Sequence, residues 1–311
     1  MSLYSRPAVA RSIARLMQAG TEAGAERLTR ASHARLPEFP RRCESLEFPT
    51  RFGPARLTVY RPAPEIASTT PPVHVNLHGG GYVLSLTELD DPLCRALAAQ
   101  AGVVVLNVDY VVAPQHPFPE PPQQVYEVVR WVAENGSKHG WDGSKLTVGG
   151  QSAGGALAAA AARLALEHQG PAIALQVLHY PPLDLSIPAS QKRASVSKPM
   201  LRPWMGDVFD TSYAPDPASR SDRLISPAGA ADTADLKGIA PAVVILAEKD
   251  LLRAEGQRYA DRLSRAGALV ELRVIAGADH GYDGKDDALA REVYAFIAGH
   301  LRRPSALAGR A

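Results

Sequence analysis

Cysteine is scarce in this chain: two in 311 residues, Cys43 and Cys94, far apart and without metal-ligand spacing. Two thiols neither demand nor exclude a disulfide, and a reduced, cytoplasmic setting is the simpler expectation. A surplus of charge is also missing. Lys and Arg number 34 against 32 Asp and Glu, with the signs mixed along the chain, so there is no electrostatic footing for nucleic acid. Long apolar runs are absent too. No stretch approaches the ~18 apolar residues of a membrane-spanning helix. Arg6, Arg11 and Arg15 break up the N-terminus before the apolar core of a secretory signal could form. The expectation is therefore a protein without stable membrane insertion. The longest apolar stretch, Ala153 to Ala162, is alanine-rich, stops at Arg163 and reads as a buried helix.

What is present is an ordinary globular composition, 46% apolar and 21% charged, in a chain long enough to bury one large core. No internal repeat is visible. From about Glu44 onward, strand-like and helix-like segments alternate, which predicts an α/β sheet. Val73–Leu77, Val103–Val108, Leu146–Val148, Leu175–Leu178 and Val243–Leu246 are short and nearly all apolar, as strands buried on both faces are. Glu44–Phe48 and Arg56–Tyr60 read as an antiparallel start to the sheet, and Leu269–Ile275 as its last strand. Helical spacing recurs at Val125, Val128, Val129 and Val132, and again at Leu289, Val293, Phe296 and Ile297.

Two regions break the alternation. Residues 1–43 carry a helical stripe of Val9, Ile13, Leu16 and Met17 ahead of the sheet, expected to pack on the protein itself rather than on a membrane. Residues 185–226 are rich in Pro, Ser and Asp, with Trp204, Met205, Phe209 and Tyr213 interspersed. A structureless loop of that length is unusual in a compact domain, so a small helical insertion is expected. The division that follows is an N-terminal segment 1–43, a core in two parts, 44–184 and 227–311, and an insertion 185–226.

Gly150-Gln151-Ser152-Ala153-Gly154-Gly155 follows a strand and opens the alanine-rich helix. That is the setting of a nucleophile elbow, G-x-S-x-G on a sharp strand-to-helix turn. Small residues two positions to either side let the strained turn form, and the helix N-terminus aims free N–H groups at the reacting centre. His78-Gly79-Gly80-Gly81-Tyr82 follows another strand, and its glycine N–H groups suit a developing oxyanion, with the Ala153 N–H completing the hole. A phosphate cradle is the rival, but no lysine follows in the P-loop manner and the dinucleotide-binding spacing is absent.

A serine hydroxyl needs a base, and the base needs an acid to orient it. In an α/β-hydrolase the chain order is Ser, acid, His. His168 ends the alanine-rich helix, His179 comes too early, and His300 lies on the last helix. His280 sits in a turn directly after the last strand, where a base is displayed. Asp250, just after Val243–Leu246, is the preferred acid; Asp279 adjoins the base, and Glu248 is a lesser rival.

Several motifs in the right order make the chain resemble the bacterial hormone-sensitive-lipase family of carboxylesterases, from about residue 44 onward. They are His78–Tyr82, Asp109-Tyr110-Val111-Val112-Ala113-Pro114 with His116–Pro119, the Gly150–Gly155 elbow, Tyr180-Pro181 with Asp184, Ala247–Asp250, and Asp279-His280-Gly281. The resemblance implies an α/β-hydrolase fold with a helical cap, made from the two regions that break the alternation. It implies a triad of Ser152, Asp250 and His280, oxyanion donors at Gly80, Gly81 and Ala153, and supporting roles for His78, Gly79, Gly150 and Gly154. The chain departs from the family pattern at Gln151, where an acid is usual, at Val111-Val112 in place of Arg-Leu, and at Gln115 in place of a common glutamate. Asp109 and Asp184 are expected to pin loops.

The expectation is a serine carboxylesterase acting on short- to medium-chain esters through an acyl-enzyme, with no metal or organic cofactor. Its partner is a small-molecule ester, and a homodimer is left open. An amidase or peptidase using the same triad is the nearest rival. A small-molecule receptor on the same fold is a more distant one, since such receptors lose a triad member and none is missing here.

Overall fold

A strand buried on both faces is apolar at most positions, because successive side chains point to opposite sides and both sides are covered. Strand β4 (Val104–Asp109) puts Val104, Leu106 and Val108 into one core, and Val105 with the preceding Val103 into the other. Strand β7 (Ala242–Ala247) divides Ala242, Val244 and Leu246 from Val243, Ile245 and Ala247 in the same way. The structure is a computed structural model that describes residues 2–302; residues 303–311, the end of the second core part, lie outside the described residues.

Eight strands form one sheet in the order β1-β2-β4-β3-β5-β6-β7-β8. The remaining strands are β1 (Cys43–Thr50), β2 (Gly53–Tyr60), β3 (Pro72–Leu77), β5 (Asp142–Gln151), β6 (Leu175–His179) and β8 (Leu269–Ile275). β1 and β2 pair antiparallel, as do β2 and β4, and every other neighbour pair is parallel. Helices α3 (Asp91–Ala101) and α8 (Asp287–Leu301) pack together over one face. Helices α4 (Glu120–His139), α5 (Ala153–Glu167) and α7 (Arg253–Arg265) cover the other. The alanine-rich run is α5, buried from Ala153 to Ala165. Its small side chains let it lie directly on backbone: a Cβ on Gly154 would stand 1.8 Å from the Leu77 carbonyl oxygen.

Helices α1 (Pro7–Ala23) and α2 (Ala25–His33) precede the sheet, and α6 (Pro203–Tyr213) lies between β6 and β7. α1 packs on α6, and the Tyr4 and Trp204 rings meet at 5.6 Å. The stripe expected on α1 is corrected in one respect. Ala10 and Ala14 are fully buried with Ile13 and Met17 beside them, whereas Leu16 is 73% exposed. Two alanines permit a closer approach than Leu16 would, so the buried face is rotated toward them. Gln18 then anchors α1 to the core, its side-chain N–H groups donating to the Val83 and Ala113 carbonyls at 2.8 and 3.0 Å. Within 185–226 only α6 is α-helical; Ser226 Oγ, accepting the Leu185 N–H at 2.7 Å, holds part of the irregular chain.

Gly154→Ala forces a methyl group into the β3 backbone, which has no rotamer to escape into. A loss of at least about 3 kcal/mol is expected, read from urea unfolding of the variant beside the parent.

Candidate active site

Parallel strands collect functional side chains at their carboxyl ends. β5 ends in a turn that puts Ser152 at φ 53° and ψ −121°, a conformation glycine favours, and its N–H donates to the His179 carbonyl at 2.9 Å. Ser152 Oγ lies 2.9 Å from His280 Nε2, and His280 Nδ1 lies 2.7 Å from Asp250 Oδ2. A carboxylate accepts only, so Nδ1 carries the proton and Nε2 is left to accept from the serine hydroxyl. The second oxygen of Asp250 accepts the Leu252 N–H at 3.0 Å. Burial works against protonating His280, but Asp250, with Asp279 and Asp283 behind it, outweighs burial and holds the imidazole above the ordinary histidine value.

The rival residues are occupied elsewhere. Asp279 accepts the N–H of His280 at 2.8 Å and that of Met200 at 2.7 Å, and Glu248 accepts the Gly277 N–H at 2.7 Å. His179 pairs with the Tyr282 hydroxyl at 2.7 Å, His300 lies 3.1 Å from Glu271, and His168 packs on the Tyr126 ring.

β3 ends in the glycine run. Gly80 (φ +122°) and Gly81 (φ +62°) need their missing Cβ atoms, which would stand 2.3 Å from the Leu84 carbonyl oxygen and 2.3 Å from the Phe209 ring. The N–H groups of Gly80, Gly81 and Ala153 find no acceptor among the described residues. Gly79 lies against the elbow, and a Cβ on Gly150 would strike the Leu77 carbonyl. His78 is fully buried and stacks on Tyr110 at 4.2 Å; burial holds it below the usual histidine value, and the Tyr110 hydroxyl ties its carbonyl at 2.7 Å.

Above Ser152 lies a cavity of about 410 Å³, with Leu84, Leu86, Leu89, Leu201, Met205 and Phe209 as its apolar wall. Val9, Ile13 and Leu16 of the α1 stripe do not line it; the N-terminal segment contributes Arg35 instead. Nor do Trp204 or Tyr213, which turn to Tyr4 and to a stacked contact with Tyr82 at 3.9 Å. Among the described residues, no group of three or more His, Cys, Asp or Glu could hold a metal ion, and no helix is long and apolar enough to cross a membrane.

A family profile for the alpha/beta hydrolase fold matches residues 74–283. Carboxylesterase NlhH of Mycobacterium tuberculosis is 38% identical over 221 residues, 70% of this chain and 69% of that protein. The ethyl acetate hydrolase of Pseudomonas putida is 36% identical over 241 residues, 76% and 74% of the two chains. The solved structure of a Pyrobaculum calidifontis esterase superposes with a TM-score of 0.80 at 32% identity, covering 94% of this chain and 96% of that one. The chain belongs to the hormone-sensitive-lipase-like carboxylesterases of the α/β-hydrolase superfamily. It is a carboxylic ester hydrolase.

The esterase meets its departures from the family pattern with contacts of its own. Gln115 exchanges side-chain hydrogen bonds with Gln18 of α1 at 2.9 and 3.1 Å, and Val112 packs on the main core. Asp109 accepts the Ser85 hydroxyl, and Asp184 pairs with Arg258 at 2.6 Å. Gln151, beside Ser152, donates to Asp283, a residue that spacing alone does not single out. The buried Asp283 carboxylate also accepts the hydroxyls of Tyr180 at 2.6 Å and Tyr294 at 3.0 Å, and its carbonyl accepts from Arg35 at 2.6 Å. It thereby joins the elbow, the end of β6, the turn that carries His280, and α8. Tyr180 in turn sets its ring against that of His280 at 4.8 Å.

Asp283→Ala leaves three buried donors without an acceptor. Destabilisation of about 3 kcal/mol or more is expected, with Asp283→Asn milder because one amide oxygen remains; urea unfolding at neutral pH compares the two.

Proposed function

We propose that this carboxylesterase hydrolyses short- to medium-chain esters through an acyl-enzyme on Ser152. The observation that carries the reading is the unbroken chain Ser152 Oγ, His280, Asp250, with links of 2.9 and 2.7 Å, at the floor of an apolar cavity. Neutral His280 takes the hydroxyl proton at Nε2 as Oγ attacks the ester carbonyl. Asp250 fixes the tautomer and stabilises the imidazolium. The N–H groups of Gly80, Gly81 and Ala153 receive the oxyanion, already aligned by a loop packed on Leu84 and Phe209. The imidazolium then protonates the leaving alcohol. A water deprotonated by His280 attacks the acyl-enzyme, and collapse of that intermediate releases the acid and expels Ser152 Oγ, which takes the proton back from His280.

Short acyl groups fit a cavity of about 410 Å³, near the lower end of small-molecule sites. The relative named for ethyl acetate supports the same direction. Each buried methylene gains about 0.8 kcal/mol until the wall is reached. Over a nitrophenyl ester series, kcat/KM should therefore peak at short to medium chains and fall for palmitate. A long-chain optimum sharpened by an emulsion would contradict the reading. A fluorophosphonate should add once, on the peptide holding Ser152, and Ser152→Ala should abolish both labelling and turnover. Labelling that survives the substitution would move the nucleophile.

The pH profile tests base and acid together. The imidazole is active only when neutral and is held above the ordinary histidine value, so kcat/KM should fall as pH drops through a limb above about 6.5. Asp250→Asn removes the charge that favours the imidazolium. It should cost about 10⁴ in kcat and move the limb to lower pH, while Asp279→Asn stays much milder. The reverse ranking of the two asparagine variants would reassign the acid.

A further inference from the structure

One part of the cavity wall is polar, and the hydrolytic mechanism does not use it. Asp210 on α6 and Lys192, at the end of the short turn Ala189–Gln191, both face the cavity. Asp210 is 7% exposed, and its carboxyl group makes no hydrogen bond to any described residue. With no donor among the described residues, the Asp210 carboxyl oxygens are left to the cavity they line, and an occupant that displaces water there must bring a donor of its own.

Its surroundings narrow the chemistry of that occupant. Lys192 is almost as buried and sits 2.6 Å from Glu255. The other oxygen of Glu255 already accepts the N–H groups of Leu183 and Asp184 at 2.8 and 3.3 Å. An ammonium has three N–H donors, and Glu255 takes one. Arg220 spends its guanidinium on the Ala214 carbonyl and Thr211, and Asp207 accepts the Ser190 N–H. Burial pushes the Asp210 carboxyl up to about 7 against the pull of Lys192, which leaves it able to accept or donate near neutral pH.

We infer that Asp210, with Lys192 beside it, forms a subsite for a hydroxyl group that the ester carries away from its reacting carbonyl. A hydroxyl is a small neutral group that can donate to the carboxyl oxygen and accept from the ammonium. A carboxylate on the substrate would meet Asp210, and an ammonium would meet Lys192, each as a like charge. The inference rests on the cavity being the ester site, and it narrows the substrate class to hydroxylated esters of modest size.

Matched esters test it. Butyl acetate against its ω-hydroxybutyl counterpart places the hydroxyl on the alcohol side, and methyl hexanoate against methyl ω-hydroxyhexanoate places it on the acyl side. In the unchanged enzyme the hydroxylated member of at least one pair should have the higher kcat/KM. An apolar wall predicts the opposite order in both pairs, because burying an unpaired hydroxyl is penalised, and that result would overturn the inference. In Asp210→Leu the ratio of hydroxylated to plain ester should drop about 10- to 100-fold, the worth of one charge-assisted hydrogen bond. Because the ratio is taken within each protein, a general loss of activity cancels. If Asp210→Leu does not fold, the order in the unchanged enzyme decides alone. A ratio that Asp210→Leu leaves unmoved sinks the subsite but not the esterase mechanism. Failure of the parent to hydrolyse nitrophenyl acetate through Ser152 would sink the mechanism itself.

Discussion

Ser152 is held at φ 53° and ψ −121°, and the geometry of the site depends on that one strained residue. A non-glycine residue there costs of order 1–3 kcal/mol, which neighbouring contacts must offset. The offset comes from close backbone approach. Ser152 donates its N–H to the end of β6, while Gly150 and Gly154 let the turn and α5 settle on the Leu77 carbonyl with no room for a methyl group. The same carbonyl end of β3 leads directly into His78 and the glycine run. Elbow and glycine run are therefore positioned by one contact between backbones, and neither can shift without the other.

Around this frame, three buried carboxyl groups sit in three different settings. Asp250 faces His280 and one backbone N–H. Asp283 faces two tyrosine hydroxyls and the Gln151 amide. Asp90 has a single donor, Asn76, and burial pushes it up to about 8 in spite of that bond. The surroundings alone separate a carboxyl group set against the histidine of the site, one that ties loops together, and one that burial leaves holding its proton near neutral pH. Gln151 belongs to the second setting. An acid at position 151 would confront Asp283 as a like charge, so the amide at one position and the carboxylate at the other form a matched pair.

The strands and the catalytic candidates were legible because their causes are local. Val103–Val108 and Val243–Leu246 are apolar at nearly every position because both of their faces are covered, and the elbow glycines are small because backbone lies within contact distance. His280 and Asp250 were reachable from chain order and from their places after β8 and β7. The cap was less legible. A helical period gives a stripe but not its rotation, and Ala10 and Ala14, being small, look neutral in sequence although they form the buried face while Leu16 points out. Asp283, Asp210 and Lys192 carried no local signal at all. Their significance comes from partners 132 residues away, as for Gln151, or from a cavity wall assembled from separate segments.

Helices α1 and α6 are also mechanically joined to the loop beside Ser152. The Phe209 ring occupies the space where Gly81 has no side chain, so α6 leans on the glycine run that follows β3. Tyr213, one turn further along α6, stacks on Tyr82 of the same loop, and Gln18 of α1 binds the Val83 carbonyl just beyond it. Both cap segments thus grip residues 81–83 from one side while Leu77 and Gly154 fix the chain from the other. Asp210 follows Phe209 directly, so the subsite inferred above and the ring packed against Gly81 share one turn of α6. A hydroxyl held there would let binding energy remote from the ester bear on the glycine run, the kind of interaction that can raise kcat rather than only lower KM.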